Sequence, residues 1–235
     1  MDPHDRWLSR PADGHLGIDE FSRRGWSLLR VITTREAVQV RKIVFHMQTT
    51  VNNRIANAAG AFWEPFPWGQ EETAYIAEQF SQADTWAMGR ATYEAIVPWW
   101  DKVARGETPD DAPTVTAADR KFAMVQRNMT KVVFSTTLPS ATDRVVVGGD
   151  LVEELTALKR RDGRDILLSC GPKTLAPIAS APGVIDEYLF AVSPAVLGAG
   201  PQVFEGLTVD LGLELTDAKV FNGGAIVSRY RVIHH

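Results

Sequence analysis

The chain carries a single cysteine, Cys170, so it can form no disulfide within itself. That usage fits a reducing compartment, and a cytoplasmic location is expected. No apolar run approaches the roughly 18–20 residues that cross a bilayer, so no membrane association is expected. Positive charge is not in excess: the net charge is −4 with 23% charged residues, and no basic block suggests nucleic acid. Several chemical fingerprints are missing as well. There is no G-x-x-x-x-G-K-[ST], no G-x-G-x-x-G after a first strand and no G-x-S-x-G elbow. The five histidines never stand with acids or Cys at metal-ligand spacing, so no metal site is expected; His234-His235 read as a tail. His46 reads as a satisfied core histidine, and Cys170 as a small buried residue.

What is present suits a packed domain: 235 residues with 45% hydrophobic content. SRRGWSLL near the N-terminus has a twin-arginine flavour, but Arg30 interrupts the apolar run an export signal needs. Residues 1–40 are therefore expected to be an extension, poorly ordered or loosely docked, ahead of one domain over 41–235.

From Lys42 strands and helices alternate. KIVFHMQTT reads as a buried strand and VNNRIANAAGAF as a loop. EETAYIAEQFSQ reads as a helix with its acids at the favourable end. DTWAM is a strand, and RATYEAIVPWW a helix expected to end at Pro98. A helix is expected over 115–127, then the strand KVVFS. Asp150 reads as the N-cap of LVEELTALKRR. DILLSC is a strand, KTLAPIAS a short helix and IDEYLFAVS a strand. LELTDAKVF-NGG-AIVSRYRVI is a hairpin with an Asn-Gly turn. The pattern predicts an α/β fold with a mixed, mostly parallel sheet and a C-terminal β-hairpin.

Three predicted strand ends carry anion-friendly groups: Gly89, Arg90 and Thr92; Ser135, Thr136 and Thr137; Gly171, Lys173 and Thr174. Beyond the carboxyl ends of parallel strands, helix N-termini present free N–H groups and partial positive charge. Ser and Thr there are also ordinary caps. Together the three ends favour a nucleotide or dinucleotide.

MGRATYEAI resembles the M-G-R-x-T-[WY]-E segment of dihydrofolate reductases. IDEYLFAVSPAVLGAGPQVFEGL follows the I-D-E-x-x-L-x-x-x-P-x-x-L-G-x-G-x-x-L-F pattern of the related C-terminal reductase domain of the bifunctional riboflavin biosynthesis protein. KIVFHMQTTVNNRIA, KVVFSTTL and LVEELTALKRRDGRDILLSCGPKTL fall in the matching order, so the resemblance runs from about Lys42 to Ile233.

The resemblance implies a dihydrofolate reductase-like three-layer α/β/α fold and a homodimer. It also implies an NADPH-dependent reductase of a small pterin-like or pyrimidine-like heterocycle. By position, Gly89, Arg90 and Thr92 would hold phosphates, and Ser135 and Thr136 with Arg90 would select the 2′-phosphate. Gly171, Pro172, Lys173, Thr174 and Leu175 would cradle the diphosphate. Gln48 and Asn52 would stand at the catalytic end of the cleft, and Asn53, Ile55, Trp63 and Trp68 beside substrate.

Two departures stand out. Asn52-Asn53 replaces the family's Asp-Gly, and Pro172 replaces the second glycine of Gly-Gly, removing one N–H while suiting the first helical position. Asn52 leaves no evident acid, so a proton would arrive through water. Glu64, Glu71 and Glu72 are the nearby candidates for the acid that dihydrofolate reductases set against the pterin, none at a diagnostic spacing, and otherwise read as solvated or helix-dipole acids. The FWEPFPW rings would stack on a flat ring, form a lid or meet a second copy. Trp99 and Trp100 read as core or interface packing. The alternative function is a cofactor- or ligand-binding protein of the same fold without catalysis.

Overall fold

The computed structural model describes residues 41–62, 68–110 and 114–233. The expectations for residues 1–40, for Trp63 and Glu64 and for the His234-His235 tail lie outside them. Among the described residues eight strands form one sheet: β1 Ile43–Thr50, β2 Ala83–Gly89, β3 Thr130–Phe134, β4 Val145–Val147, β5 Asp165–Ser169, β6 Glu187–Ser193, β7 Gly212–Val220 and β8 Ile226–Ile233. Their order is β4-β3-β2-β5-β1-β6-β8-β7. The first six are mutually parallel, while β8 runs antiparallel to β6 and β7 to β8. This is the mixed, mostly parallel sheet with a C-terminal hairpin that the sequence predicts.

Helices cover both faces because both faces of the central strands are apolar. On one face Val44, Trp86, Met88, Val133 and Leu167 pack under Ile76 and Phe80 of α1 (Gln70–Phe80) and Tyr93 and Val97 of α2 (Arg90–Ala104). On the other, Phe45, Ala87, Ile166 and Leu168 meet Leu155 and Leu158 of α4 (Leu151–Lys159) and Leu175 and Ile178 of α5 (Pro172–Ser180). Phe80 is 1% exposed and makes edge contacts with the rings of His46, Trp86 and Phe122, the last on α3 (Ala117–Arg127). Burying a side chain of that size contributes about 1.5–3 kcal/mol.

Two local expectations are corrected. Pro98 does not end α2; the helix continues to Ala104. Pro98 and Glu94 are both exposed, so the carbonyl the ring frees faces water, while buried Trp100 and Val103 hold the following turns against Ala123. The three-residue β4, Val145–Val147, was not anticipated; its pairing to Val132–Phe134 defines it.

His46 is a core histidine but not a satisfied one: its Nε2 has no partner among the described residues. Burial, reinforced by Arg229, holds its pKa down at about 4, so the ring is neutral at pH 7. Cys170 is buried as expected, and burial pushes its thiol up to about 12, which leaves no thiolate at neutral pH.

Candidate functional site

All six parallel strands end at one edge of the sheet. Neighbouring β2 and β5 send their chains to opposite faces, β2 into α2 and β5 into α5. A crevice opens where adjacent connections part in this way.

The helices differ in what occupies their N-termini. Thr116 and Asp119 close α3 with a reciprocal capping box, and the Asp150 carboxylate accepts from Val152 N and Glu153 N at α4. At α1 the Glu72 carboxylate folds back on Gly69, where an added Cβ would lie 2.5 Å from Oε2. Only α2 and α5, among the described helices, begin on a glycine with neither a side-chain cap nor a carboxylate against it. These two flank the crevice. A Cβ on Gly89 would stand 3.9 Å from Thr174 Oγ1, and one on Gly171 would meet no atom within 4 Å. Two uncapped helix ends facing one open space form an anion cradle.

The sequence-predicted cofactor residues distribute around it. Arg90 is exposed and only loosely held, 4.0 Å from Glu94, so its guanidinium is free to turn. Thr92 lies in the same first turn, half-buried. Ser135 Oγ accepts from Thr137 N and Leu138 N, which fixes the turn after β3 and leaves its proton to donate. Thr136 is exposed beside it. Pro172 occupies the first position of α5, and Lys173 and Thr174 follow. Thr174 N and Leu175 N already donate to Gly171 O. Leu175 is 1% exposed and packs in the core, so its side chain faces away from the cradle.

The loop after β1 is held by its own polar groups. Asn52 Oδ1 accepts from Thr50 Oγ1 at 2.7 Å and from Leu197 N at 3.3 Å, while Nδ2 donates to Leu197 O at 2.8 Å. The side chain is thus a clamp between the β1 loop and the loop after β6. This geometry explains an amide where the related pattern has Asp, because a carboxylate has no proton to give Leu197 O. Asn52→Asp is expected to destabilise the protein by about 1–3 kcal/mol, the cost of leaving a carbonyl opposite an acceptor. A lowered urea midpoint with unchanged slope checks this. Asn53 has φ 60° and an exposed side chain, so it serves the turn through its backbone. Arg54 donates to the carbonyls of Leu197 and Gly200. Ile55 is half-buried against the core on the α5 side.

Toward α1 the cleft is lined differently. Val44, His46, Gln48 and Thr50 share the face of β1 that α1 covers, since Val44 packs with Ile76 and His46 meets Phe80. Thr50 pairs in register with Ser193, which puts Ser193 on that face too. Gln48 Nε2 and Ser193 Oγ are buried without partners among the described residues, as is Thr49 Oγ1 on the opposite face. Glu72 is only 7% exposed, so of the two expectations it is the helix-dipole acid in the first turn of α1 and not a solvated one. Its Oε1 would be 3.4 Å from a Cβ on Gly223, in the β7–β8 turn. Trp68 packs on the cluster beneath α1. Ser193 is the residue sequence reasoning missed. Ser193 directly precedes the proline of the I-D-E…P pattern, but only strand register reveals its unmet hydroxyl.

The model of the RibD C-terminal domain family matches residues 41–227. A curated relative, the uncharacterized protein YyaP of Bacillus subtilis (strain 168), is 23% identical over 156 residues, covering 66% of this chain and 75% of its own length. Among solved structures, the chain is similar to a diaminohydroxyphosphoribosylaminopyrimidine deaminase/5-amino-6-(5-phosphoribosylamino)uracil reductase from Thermotoga maritima. That match has a TM-score of 0.58 at 16% identity, over 82% of this chain and 57% of the other. It is also similar to dihydrofolate reductase from Enterococcus faecalis complexed with NADP(H), with a TM-score of 0.52 at 14% identity, over 81% and 96% of the two chains. These likenesses establish the fold. No described helix is long and apolar enough to cross a membrane.

Proposed function

Because the chain belongs to the RibD C-terminal domain family, we propose that it is an NADPH-dependent reductase of a pterin-like or pyrimidine-like heterocycle. One observation carries this reading: the N-termini of α2 and α5 are both left open, and both face the crevice between β2 and β5. The residues fit a dinucleotide diphosphate. Uncapped N–H groups accept its charge, and a glycine at each helix start keeps the approach clear. Arg90 with Ser135 and Thr136 takes the 2′-phosphate, which a mobile guanidinium and a hydroxyl proton suit. Lys173 and Thr174 flank the diphosphate.

NADPH held there would supply the hydride for reduction of the acceptor's C=N or C=O bond, a proton completing the reduction. The chain's own part is positioning. Asn52 and Arg54 fix the loop that closes over the reacting ends, and Gln48 projects beneath it. Asn52 is neutral and engaged, so in this reading the proton for an acceptor nitrogen comes through water. The exposed edge of β7, with Leu215 and Val220 outward, supports pairing of two copies.

Titration with NADPH and NADH, reported by the seven tryptophans, tests the reading. NADPH is expected to bind, and Arg90→Ala to weaken NADPH at least about ten-fold more than NADH, the loss of one charge-assisted contact. Binding of neither nucleotide would sink the reductase; equal weakening would remove Arg90 from the 2′-phosphate. Binding without turnover of dihydrofolate or pyrimidine substrates would favour a ligand-binding protein, which the engagement of Asn52 in the loop clamp permits.

A further inference from the structure

A cavity of about 530 Å³ lies where β3 and β4 begin and α2 and α3 end, at the opposite edge of the sheet from the α2–α5 cradle. Helix α2 opens on that cradle and ends at this cavity, and its 15 residues keep the two about 20 Å apart. The volume suits a small organic ligand. Four cations line it, Arg105, Arg127, Lys131 and Arg144, against two acids, Asp101 and Asp143. None of them belongs to the nucleotide cradle.

The cations are unequally engaged. Arg144 is fully occupied: Nη1 donates to Tyr93 Oη and to Asp143, each at 3.0 Å, and Nη2 to Pro139 O at 3.1 Å. Arg105 pairs with Glu107, but both side chains are half exposed, and such a pair holds an arginine weakly. Arg127 makes one long bond, 3.4 Å, to Ala104 O. Lys131 is 7% exposed, and the one hydrogen bond its ammonium makes among the described residues goes to Arg127 O at 3.2 Å. A lysine this buried ordinarily meets a carboxylate. Burial pushes its pKa below the ordinary lysine value; Asp101 and Asp143 offset this without pairing with it, and Arg127 adds to it.

Arg127 and Lys131 complement the C-terminal ends of α2 and α3, as cations commonly do. That role uses one bond from each, whereas an ammonium has three donors and a guanidinium five. A phosphate monoester brings nearly two negative charges and three strong acceptors, which matches two cations that lack a carboxylate partner.

We propose that this cavity binds a dianionic phosphate group, free or as the ester of a small molecule, with Lys131 and Arg127 as its principal ligands. Arg105 stands in the same wall and can exchange Glu107 for the phosphate. Asp101, which forms no ion pair among the described residues, limits the affinity.

The test is calorimetric titration of the full chain with inorganic phosphate, glycerol 3-phosphate and glycerol, in low salt and a phosphate-free buffer. At least one phosphate is expected to bind with a Kd of about 1 mM or tighter, and glycerol not to bind. Tighter binding of the ester makes an esterified molecule the ligand, and equal binding the free anion; both support the site. Lys131→Met and Arg127→Gln should each weaken binding about ten-fold, and Asp101→Asn should tighten it a few-fold. Lys131→Met removes a buried charge and should melt close to wild type without phosphate, so its lost affinity is not lost folding. Arg127 is exposed, so its variant gives a second check free of core packing. Gly171→Asp, which closes the cradle, should leave this binding unchanged. The proposal is overturned if neither phosphate binds below about 10 mM, or if Lys131→Met and Arg127→Gln bind as wild type does. It is overturned equally if Gly171→Asp abolishes the binding, which would place the phosphate at the cradle.

Discussion

Gly171→Asp is expected to abolish nucleotide binding while leaving the protein as stable as before, or more so. Gly171 has φ −69° and ψ 169°, ordinary for an N-cap, and a Cβ there meets no atom within 4 Å. An aspartate at this position would act as Asp150 does at α4, accepting first-turn N–H groups and complementing the helix dipole. Stability should rise by a few tenths to about 1 kcal/mol. NADPH affinity should fall at least about 100-fold, or about 2.7 kcal/mol, because a fixed carboxylate then occupies the donors a diphosphate needs and repels its charge. Gly171→Ala, which adds the Cβ alone, should keep affinity within a few-fold. Thermal melts beside fluorescence titrations separate the two effects. Wild-type NADPH affinity in the aspartate variant would place the diphosphate elsewhere.

Gly200→Ala is expected to be the most damaging single substitution among the loop residues. Gly200 sits at φ +122°, and an added Cβ would lie 2.0 Å from Ala56 O and 3.0 Å from the carbonyl carbons of Ala56 and Asn57. The atoms met are backbone, so no rotamer change relieves the contact, and the loop after β6 must lift off the loop after β1. That separation would also strip Arg54 of the Gly200 carbonyl and strain the Asn52 clamp on Leu197. A loss of about 3–5 kcal/mol is expected, in the range of severe backbone conflicts. For a chain of this size that corresponds to a fall in Tm of about 10 °C or more. A melt within a degree or two of wild type would show that the two loops do not pack as described.

Much of the architecture was legible because it is written in neighbours close along the chain. The apolar runs of β1 and β5, the Asp150 cap and the Asn-Gly turn each depend on residues within a few positions of one another. Gly89 and Gly171 were visible as strand-end glycines for the same reason. Pro98 shows the limit of that local logic: its intrinsic preference argued for a helix end, and packing of Trp100 and Val103 overruled it.

The site divides in the same way. The sequence by itself determined the order of strands and helices and the glycine starts of α2 and α5. Tertiary structure alone decided that the two open helix ends lie side by side, since β2 and β5 pair directly and lead into α2 and α5 on opposite faces. It decided that Asn52 is a clamp, through bonds to a residue 145 positions away. It also decided that Ser193 and Gln48 have no partners, which follows from the register of β1 against β6. The physical reason is range: periodicity, capping and turn chemistry act within about one helical turn of sequence, whereas the satisfaction of a buried polar atom depends on whatever the fold brings against it.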